Sequence, residues 1–279
     1  MPFVRLGQVD YINCLPVYHA LEEGLLDFEG QLVKGPPTML NRMFLNGELD
    51  VTPISSIEYA RNPDRCLILP DLSISADGRV ESILLFSKIP ITELEGKRAA
   101  VTMSSATSVV LLRILFEHYY HVEVELVPHQ PHLESMLENN DCALLIGNDA
   151  MLAHQQVLEE GQNIYVTDLG EAWKNLSGEK MVYAIYVVRQ ELALKSPETV
   201  DYISNLLVNS RNTGIQMTDN LIAKAYRQTG LPRHLVAEYF KTIINGFDRD
   251  YQRALLTYYD YAYKSGLIEE RVKLNIWGE

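Results

Sequence analysis

The chain is short of cysteine, of positive charge and of long apolar runs, and each shortage removes a class of protein. Its three cysteines, Cys14, Cys66 and Cys142, are odd in number and lack CxxC spacing, which excludes a disulfide framework and a thiolate zinc site and points to a reducing cytoplasm. Lys and Arg number 24 against 37 Asp and Glu, a net charge of -13. A protein that neutralises phosphates carries a basic face, so neither nucleic acid nor a membrane surface is an expected partner. Apolar runs such as Ile83-Leu84-Leu85-Phe86 fall far below the roughly 20 residues that cross a bilayer. The opening Met1-Pro2-Phe3-Val4-Arg5 lacks a charged and apolar leader with a cleavage site, so no secretion signal is expected. No P-loop, GxGxxG or Ser/His/Asp signature occurs. In His129-Gln130-Pro131-His132 the proline breaks a helical presentation and no acidic or Cys partner completes a ligand set, so no metal is expected.

What is present is an ordinary globular composition, 47% hydrophobic and 22% charged over 279 residues, enough for two medium lobes. Residues 4–9, 31–34, 50–54, 66–69 and 80–87 have strand character, and 16–23, 38–45 and 56–61 have helical spacing. Such alternation predicts a mostly parallel, helix-covered α/β sheet. A second series follows, with strands over 98–102, 122–127, 142–146 and 164–167 and helices over 107–119, 132–138 and 149–156. One further strand over 181–189 leads into helices that run to the end. The expected division is a discontinuous first lobe of 1–89 plus 188–279, with the helical tail packed on it, and a second lobe of 90–187, crossing near Pro90 and near Val188. Tyr251, Tyr258, Tyr259, Tyr261 and Tyr263 in the tail read as core packing or a partner contact.

The candidate site lies at the strand ends, where open α/β sheets bind ligands. Val9 is followed by Asp10-Tyr11-Ile12-Asn13-Cys14, Ile54 by Ser55-Ser56, Thr102 by Met103 and then Ser104-Ser105-Ala106-Thr107-Ser108, and Ile146 by Gly147-Asn148-Asp149. Four ends rich in hydroxyls and amides suggest one polar pocket for a small anion, held by local donors because the chain is acidic. Ser104, Ser105, Thr107 and Ser108 stand at a helix start, where unpaired N–H groups suit a carboxylate and capping explains one hydroxyl of the four. Asn13 reads from spacing alone as an N-cap for 16–23, with a carboxamide reaching into the cleft as the other reading. Ser55 and Ser56 divide between capping and binding, and Asn148 between capping and closing the cleft. Tyr11 stacks on a ligand ring or packs. Ser82 is placed in mid-strand. Arg79 reads as a solvated turn residue. Asp168, Glu171 and Trp173 read either as proton acceptors with an aromatic wall or as an ordinary acidic helix start. Cys14 reads as a small apolar residue.

The blocks Val9-Asp10-Tyr11-Ile12-Asn13-Cys14-Leu15-Pro16, Gly47-Glu48-Leu49-Asp50-Val51-Thr52-Pro53-Ile54-Ser55-Ser56, Gly78-Arg79-Val80-Glu81-Ser82-Ile83-Leu84-Leu85-Phe86-Ser87 and Ser104-Ser105-Ala106-Thr107-Ser108, in this order, resemble the chorismate dehydratases of menaquinone biosynthesis. Asp168-Leu169-Gly170-Glu171-Ala172-Trp173 fits as a fifth block. The resemblance implies a two-lobed fold similar to the type II periplasmic solute-binding proteins, used in the cytoplasm as a lyase of the futalosine route. It implies dehydration of chorismate to 3-[(1-carboxyvinyl)oxy]benzoate without metal or organic cofactor. It implies catalytic roles for Asn13 and Ser82 and substrate contacts from Tyr11, Ser55, Ser56, Ser104, Ser105, Thr107, Ser108 and Asn148. The expected partner is a small dicarboxylate, chorismate, and an oligomer is compatible with the sequence. Ser177-Gly178-Glu179-Lys180-Met181 departs from a Thr-Gly-Leu-Pro-Phe-like run of the family, which bears on the cleft wall expected from that segment. The alternatives are a cytoplasmic small-anion binding module and the later futalosine-pathway enzyme of the same fold, expected to open with a Ser-Pro-Cys-Pro-Asn-like run.

Overall fold

The computed structural model describes residues 2–279, so Met1, where the expected first lobe begins, lies outside it. In chain order the first elements are β1 (Val4–Val9), α1 (Leu15–Glu22), β2 (Gly30–Gly35), α2 (Pro37–Leu45), β3 (Val51–Ser55), α3 (Ser56–Arg61), β4 (Cys66–Ala76) and β5 (Ile83–Ser87). Next come β6 (Lys97–Thr102), α4 (Ala106–Leu115), β7 (Val124–His129), α5 (Leu133–Glu138), β8 (Cys142–Ile146), α6 (Gly147–Glu159), β9 (Tyr165–Asp168), α7 (Leu169–Ser177) and β10 (Met181–Arg189). The tail is α8 (Gln190–Lys195), α9 (Pro197–Gln216), α10 (Thr218–Thr229), α11 (Arg233–Thr242) and α12 (Arg249–Lys264).

Local chemistry accounts for these boundaries. Pro16, Pro37 and Pro197 sit in the first turns of α1, α2 and α9, where a missing N–H breaks no helical bond. Gly178 and Gly230 end α7 and α10 in the left-handed conformation that favours glycine. Tyr251, Ala254, Leu255, Tyr258, Tyr259 and Ala262 recur at helical spacing and give α12 one buried face. The helix expected over 107–119 stops at Leu115 and passes into a π-helical turn, Phe116–Tyr120, closed by left-handed His121.

The strands form two five-stranded sheets, in the orders β2-β1-β3-β10-β4 and β7-β6-β8-β5-β9. In the first, β1 runs parallel to β2 and β3, while β10 is antiparallel to β3 and β4. In the second, β6 runs parallel to β7 and β8, while β5 is antiparallel to β8 and β9. Each sheet therefore holds four strands of one direction and a single antiparallel strand next to the edge, so the mostly parallel sheet expected from the alternation is present twice, each time with one antiparallel insertion.

That insertion moves the crossings. β5 belongs to the second sheet and β10 to the first, so the chain changes sheets between Ala76 and Ile83 and between Asp168 and Met181, not near Pro90 and Val188. Both strands are almost wholly buried and carry no face pattern that could name their sheet. Only the pairing partner decides it.

The tail meets the first lobe and, through α12, the second as well. α9 lies along α1, and Gly214 permits this because a β-carbon there would stand 2.1 Å from the Pro16 carbonyl oxygen. α12 instead bridges both sheets. The Tyr259 hydroxyl donates to the Ser56 carbonyl at 2.7 Å, and that of Tyr258 to the Thr107 carbonyl at 3.2 Å. Trp173 of α7 meets Tyr258 and Tyr261 edge-on. One large hydrophobic core consequently runs through both lobes, with a smaller one under the outer face of the second sheet around Leu84, Phe86 and Met136.

Candidate active site

A cleft of about 610 Å³, measured out to its mouth, opens between the two sheets. Tyr11 and Asn13 reach it from the end of β1 and Ser55 from the end of β3; Ser105 and Ser108 face it from the head of α4, Gly147 from the head of α6, and Ser82 from the crossing. None of its lining side chains is Asp, Glu, His, Lys or Arg. The titratable groups in the lining stay neutral as well. Burial pushes the Cys14 thiol up to about 12 and the Tyr11 and Tyr183 phenols above their usual value, the Tyr11 shift being partly reversed by Ser104 against its hydroxyl.

The serines of the cleft share one arrangement. Asn41 on α2, itself buried, accepts from the Ser55 backbone N–H at 3.3 Å and donates its Nδ2 to Ser55 Oγ at 3.1 Å. The backbone bond fixes which way the Asn41 amide points. Ser105 caps α4 by accepting from the Ser108 N–H at 3.2 Å, and its hydroxyl donates to Ser108 Oγ at 2.9 Å. Tyr239 on α11 donates to Ser82 Oγ at 2.9 Å. Ser55, Ser82 and Ser108 thus each accept a hydrogen bond from the protein and keep their own proton for the cleft. The result is an uncharged pocket rich in donors, fitted to an acceptor such as a carboxylate.

Asn13 does not cap a helix. A short 3-10 turn, Ile12–Cys14, intervenes before α1, and Cys14 occupies the cap position with no side-chain bond. The carboxamide instead lies against the Tyr239 phenol, and its Oδ1 is buried without a partner. Ser82 lies ahead of β5 and not in mid-strand, directly after Glu81, which adopts φ 64. A left-handed non-glycine residue costs about 1–2 kcal/mol, and Asp168 holds it. This carboxylate caps α7 through the Gly170 and Glu171 N–H groups at 2.9 and 3.1 Å, and accepts from Val80 at 3.1 Å and Glu81 at 2.7 Å. Burial pushes the Asp168 carboxyl above its usual range against the pull of these four donors.

Several expected contacts do not line the cleft. Thr107 accepts from the Ile57 N–H at 3.3 Å and Asn148 Oδ1 from the Ile12 N–H at 3.4 Å, so both tie one lobe to the other. Ser56 is fully buried and donates to the Val182 carbonyl at 2.7 Å. Ser104 pairs with Thr102 Oγ1 at 2.7 Å. The departing segment 177–181 stays out of the lining too; it supports the core, with the Lys180 carbonyl accepting from Trp173 Nε1 at 3.0 Å. Sequence reasoning missed Asn41, Tyr239 and the anchoring role of Asp168. Asn41 had a signal, a polar residue flanking the buried Leu40 and Phe44 stripe of α2, while Tyr239 was indistinguishable from an apolar core aromatic.

A family model described as menaquinone biosynthesis matches residues 4–264. The chain belongs to the menaquinone-biosynthesis family. Among relatives of this family, a chorismate dehydratase of Thermus thermophilus is 33% identical over 205 residues, covering 68% of this chain and 71% of that protein. Among solved structures, protein AF1704 from Archaeoglobus fulgidus superposes with a TM-score of 0.80 at 23% identity, covering 95% of this chain and 98% of that one. The periplasmic aliphatic sulphonate binding protein SsuA from Escherichia coli gives 0.68 at 16% identity, covering 99% and 92%. These two show the fold alone: this member of the menaquinone-biosynthesis family has the two-lobed periplasmic-binding-protein architecture. Among the described residues no cluster of His, Cys, Asp and Glu suits a metal ion, and no helix is long and apolar enough to cross a membrane.

Proposed function

We propose that this chain is a hydro-lyase that dehydrates chorismate to 3-[(1-carboxyvinyl)oxy]benzoate in menaquinone biosynthesis. The supporting observation is the uncharged cleft in which three serines hold protons available to a ligand. Chorismate offers two carboxylates and a ring hydroxyl as acceptors. In this reading Ser108, oriented by Ser105 at the positive end of α4, binds one carboxylate, Ser55 binds the other, and Tyr11 lies against the ring. Ser82 and Asn13 hold the ring hydroxyl. The three buried cysteines are free, which supports a cytoplasmic setting.

The reaction breaks the ring C–H beside the ether oxygen and the C–O bond of the ring hydroxyl, and the ring becomes aromatic. Since no lining group is ionised near neutral pH, the enolpyruvyl carboxylate of the substrate takes the ring proton. That proton balances the departing hydroxide as water, and no residue changes its protonation state. The protein's task is orientation, which in ideal cases replaces roughly 7–11 kcal/mol of barrier.

Incubating the purified chain with chorismate, without added metal or cofactor, should yield a product lighter by one water with an aromatic absorbance. Unchanged chorismate overturns the assignment, and unchanged chorismate that nonetheless stabilises the fold leaves a binding module. The pH dependence is a second check. With Tyr11, Cys14 and Tyr183 held protonated, kcat should vary less than about 3-fold between about pH 6 and 9. Glu81, Asp149 and Asp168, whose carboxyls burial pushes upward, protonate with the substrate as pH falls. Activity therefore declines on the acid side and not the alkaline one. A bell with an alkaline limb near neutrality would show that a protein base operates.

Gly147 provides a third test. It adopts φ +59, and a β-carbon there would stand 3.0 Å from the Tyr11 ring. Gly147→Ala should destabilise the fold by about 1–2 kcal/mol and raise KM by roughly 10-fold through displacement of the ring. An unaltered KM would remove Tyr11 from the substrate contacts.

A further inference from the structure

We propose that Tyr239 is a positioning residue for the dehydration, setting the direction of the Ser82 hydroxyl proton so that Ser82 and Asn13 together recognise a hydroxyl on the ligand. The inference rests on the dehydratase reading above and adds a residue from the helical tail to the site. Tyr239 lies on α11, 157 positions along the chain from Ser82, and its hydroxyl is fully enclosed. The phenol donates to Ser82 Oγ at 2.9 Å, and the Asn13 carboxamide lies against the same phenol oxygen.

A lone serine hydroxyl rotates and can offer either its proton or a lone pair. Here the tyrosine proton occupies a lone pair of Ser82 Oγ, so the serine proton is what remains for the cleft. Asn13 supplies the opposite polarity, because its Oδ1 is buried with no partner and cannot donate. A donor and an acceptor side by side suit one ligand atom that accepts and donates together, which is a hydroxyl oxygen. A carboxylate satisfies Ser82 but leaves Asn13 Oδ1 unpaired, and a ketone does the same. Tyr239 thereby distinguishes the hydroxyl that must leave from the carboxylates that must stay.

Tyr239 touches no reacting atom in this scheme and acts through Ser82. Tyr239→Phe, which deletes a single oxygen, should lower kcat for chorismate by roughly 10- to 100-fold, as loss of such a supporting contact does, with KM within about 3-fold and the melting curve retained. Tyr239→Phe added to Ser82→Ala should lower kcat no further than Ser82→Ala alone, because the tyrosine has then lost the group it orients. Additive losses, or a change in KM alone, would reduce Tyr239 to a packing residue and overturn the proposal.

Should the Phe variant fold poorly, a polyfluorinated tyrosine at 239 keeps the ring and the hydroxyl while bringing its ionisation within reach. Cys14, Glu81 and Tyr183 are the titratable groups that face this phenol, and burial keeps the thiol and the Tyr183 phenol neutral. Turnover should then fall as pH rises and the phenol loses the proton it donates, while wild type stays level; a level profile in both overturns the proposal. Wild-type chain without turnover refutes the dehydratase reading itself, whereas an active wild type with unaffected Tyr239 variants refutes only this inference.

Discussion

Ser82→Ala is expected to lower kcat for chorismate by about 10²- to 10³-fold, the usual loss when one well-placed donor is removed from a water-poor site, while KM moves only a few-fold. The split follows from what each contact binds. In the proposed arrangement Ser108 at the head of α4 and Ser55 hold carboxylates that exist equally in substrate and transition state. In that arrangement Ser82 would face the oxygen on which charge develops as the C–O bond breaks. An interaction that strengthens only along the reaction appears in kcat. Asn13→Ala should behave alike, since its free Oδ1 orients the same hydroxyl. Steady-state kinetics with mass detection of the aromatic product reads both. Unchanged turnover in the two variants would show that the leaving group is handled elsewhere.

Asp168→Ala is expected to be the most damaging substitution away from the lining. It deletes the cap of α7, worth about 1 kcal/mol, and strands the Val80 and Glu81 N–H groups, each costing about 1–3 kcal/mol when unpaired. A total of about 3–7 kcal/mol corresponds to a melting shift of roughly 10–20 °C for a chain of this size. Activity should fall further than stability explains, because the released crossing no longer holds Glu81 at φ 64 and Ser82 loses its fixed position. Asp168→Asn keeps one acceptor and carries no buried charge, so it should be the milder of the two. Calorimetry with kcat measured well below the melting point separates the effects. Full activity in a destabilised Asp168→Ala would mean that Ser82 is positioned without this clamp.

These two predictions differ in how far the sequence alone could have reached them. Ser82 and Asn13 stood out through the family resemblance of their two blocks, which are contiguous runs of sequence; from spacing alone Asn13 read as an N-cap and Ser82 as a mid-strand residue. The clamp was not legible in the same way. Asp168 stood in the chain as an acidic helix start, and its bonds to Val80 and Glu81 span 88 and 87 positions. Thr107, Ser56 and Asn148 illustrate the converse. They share the composition of a binding block, yet the tertiary packing uses them to hold the lobes and the core together.

The sequence by itself determined the elements, including α3, β8 and β10 to the residue, the two-lobed class and the strand ends at which a cleft forms. Periodicity and turn chemistry act over a few residues, so they can be read without the fold. Only the tertiary structure decided which sheet β5 and β10 enter, where the chain crosses, and which hydroxyls face the ligand. Those outcomes depend on backbone pairing and on donors brought from distant elements, such as Asn41 to Ser55 and Tyr239 to Ser82. A hydroxyl's direction is set by whichever neighbour claims its lone pair, and that neighbour is chosen by packing.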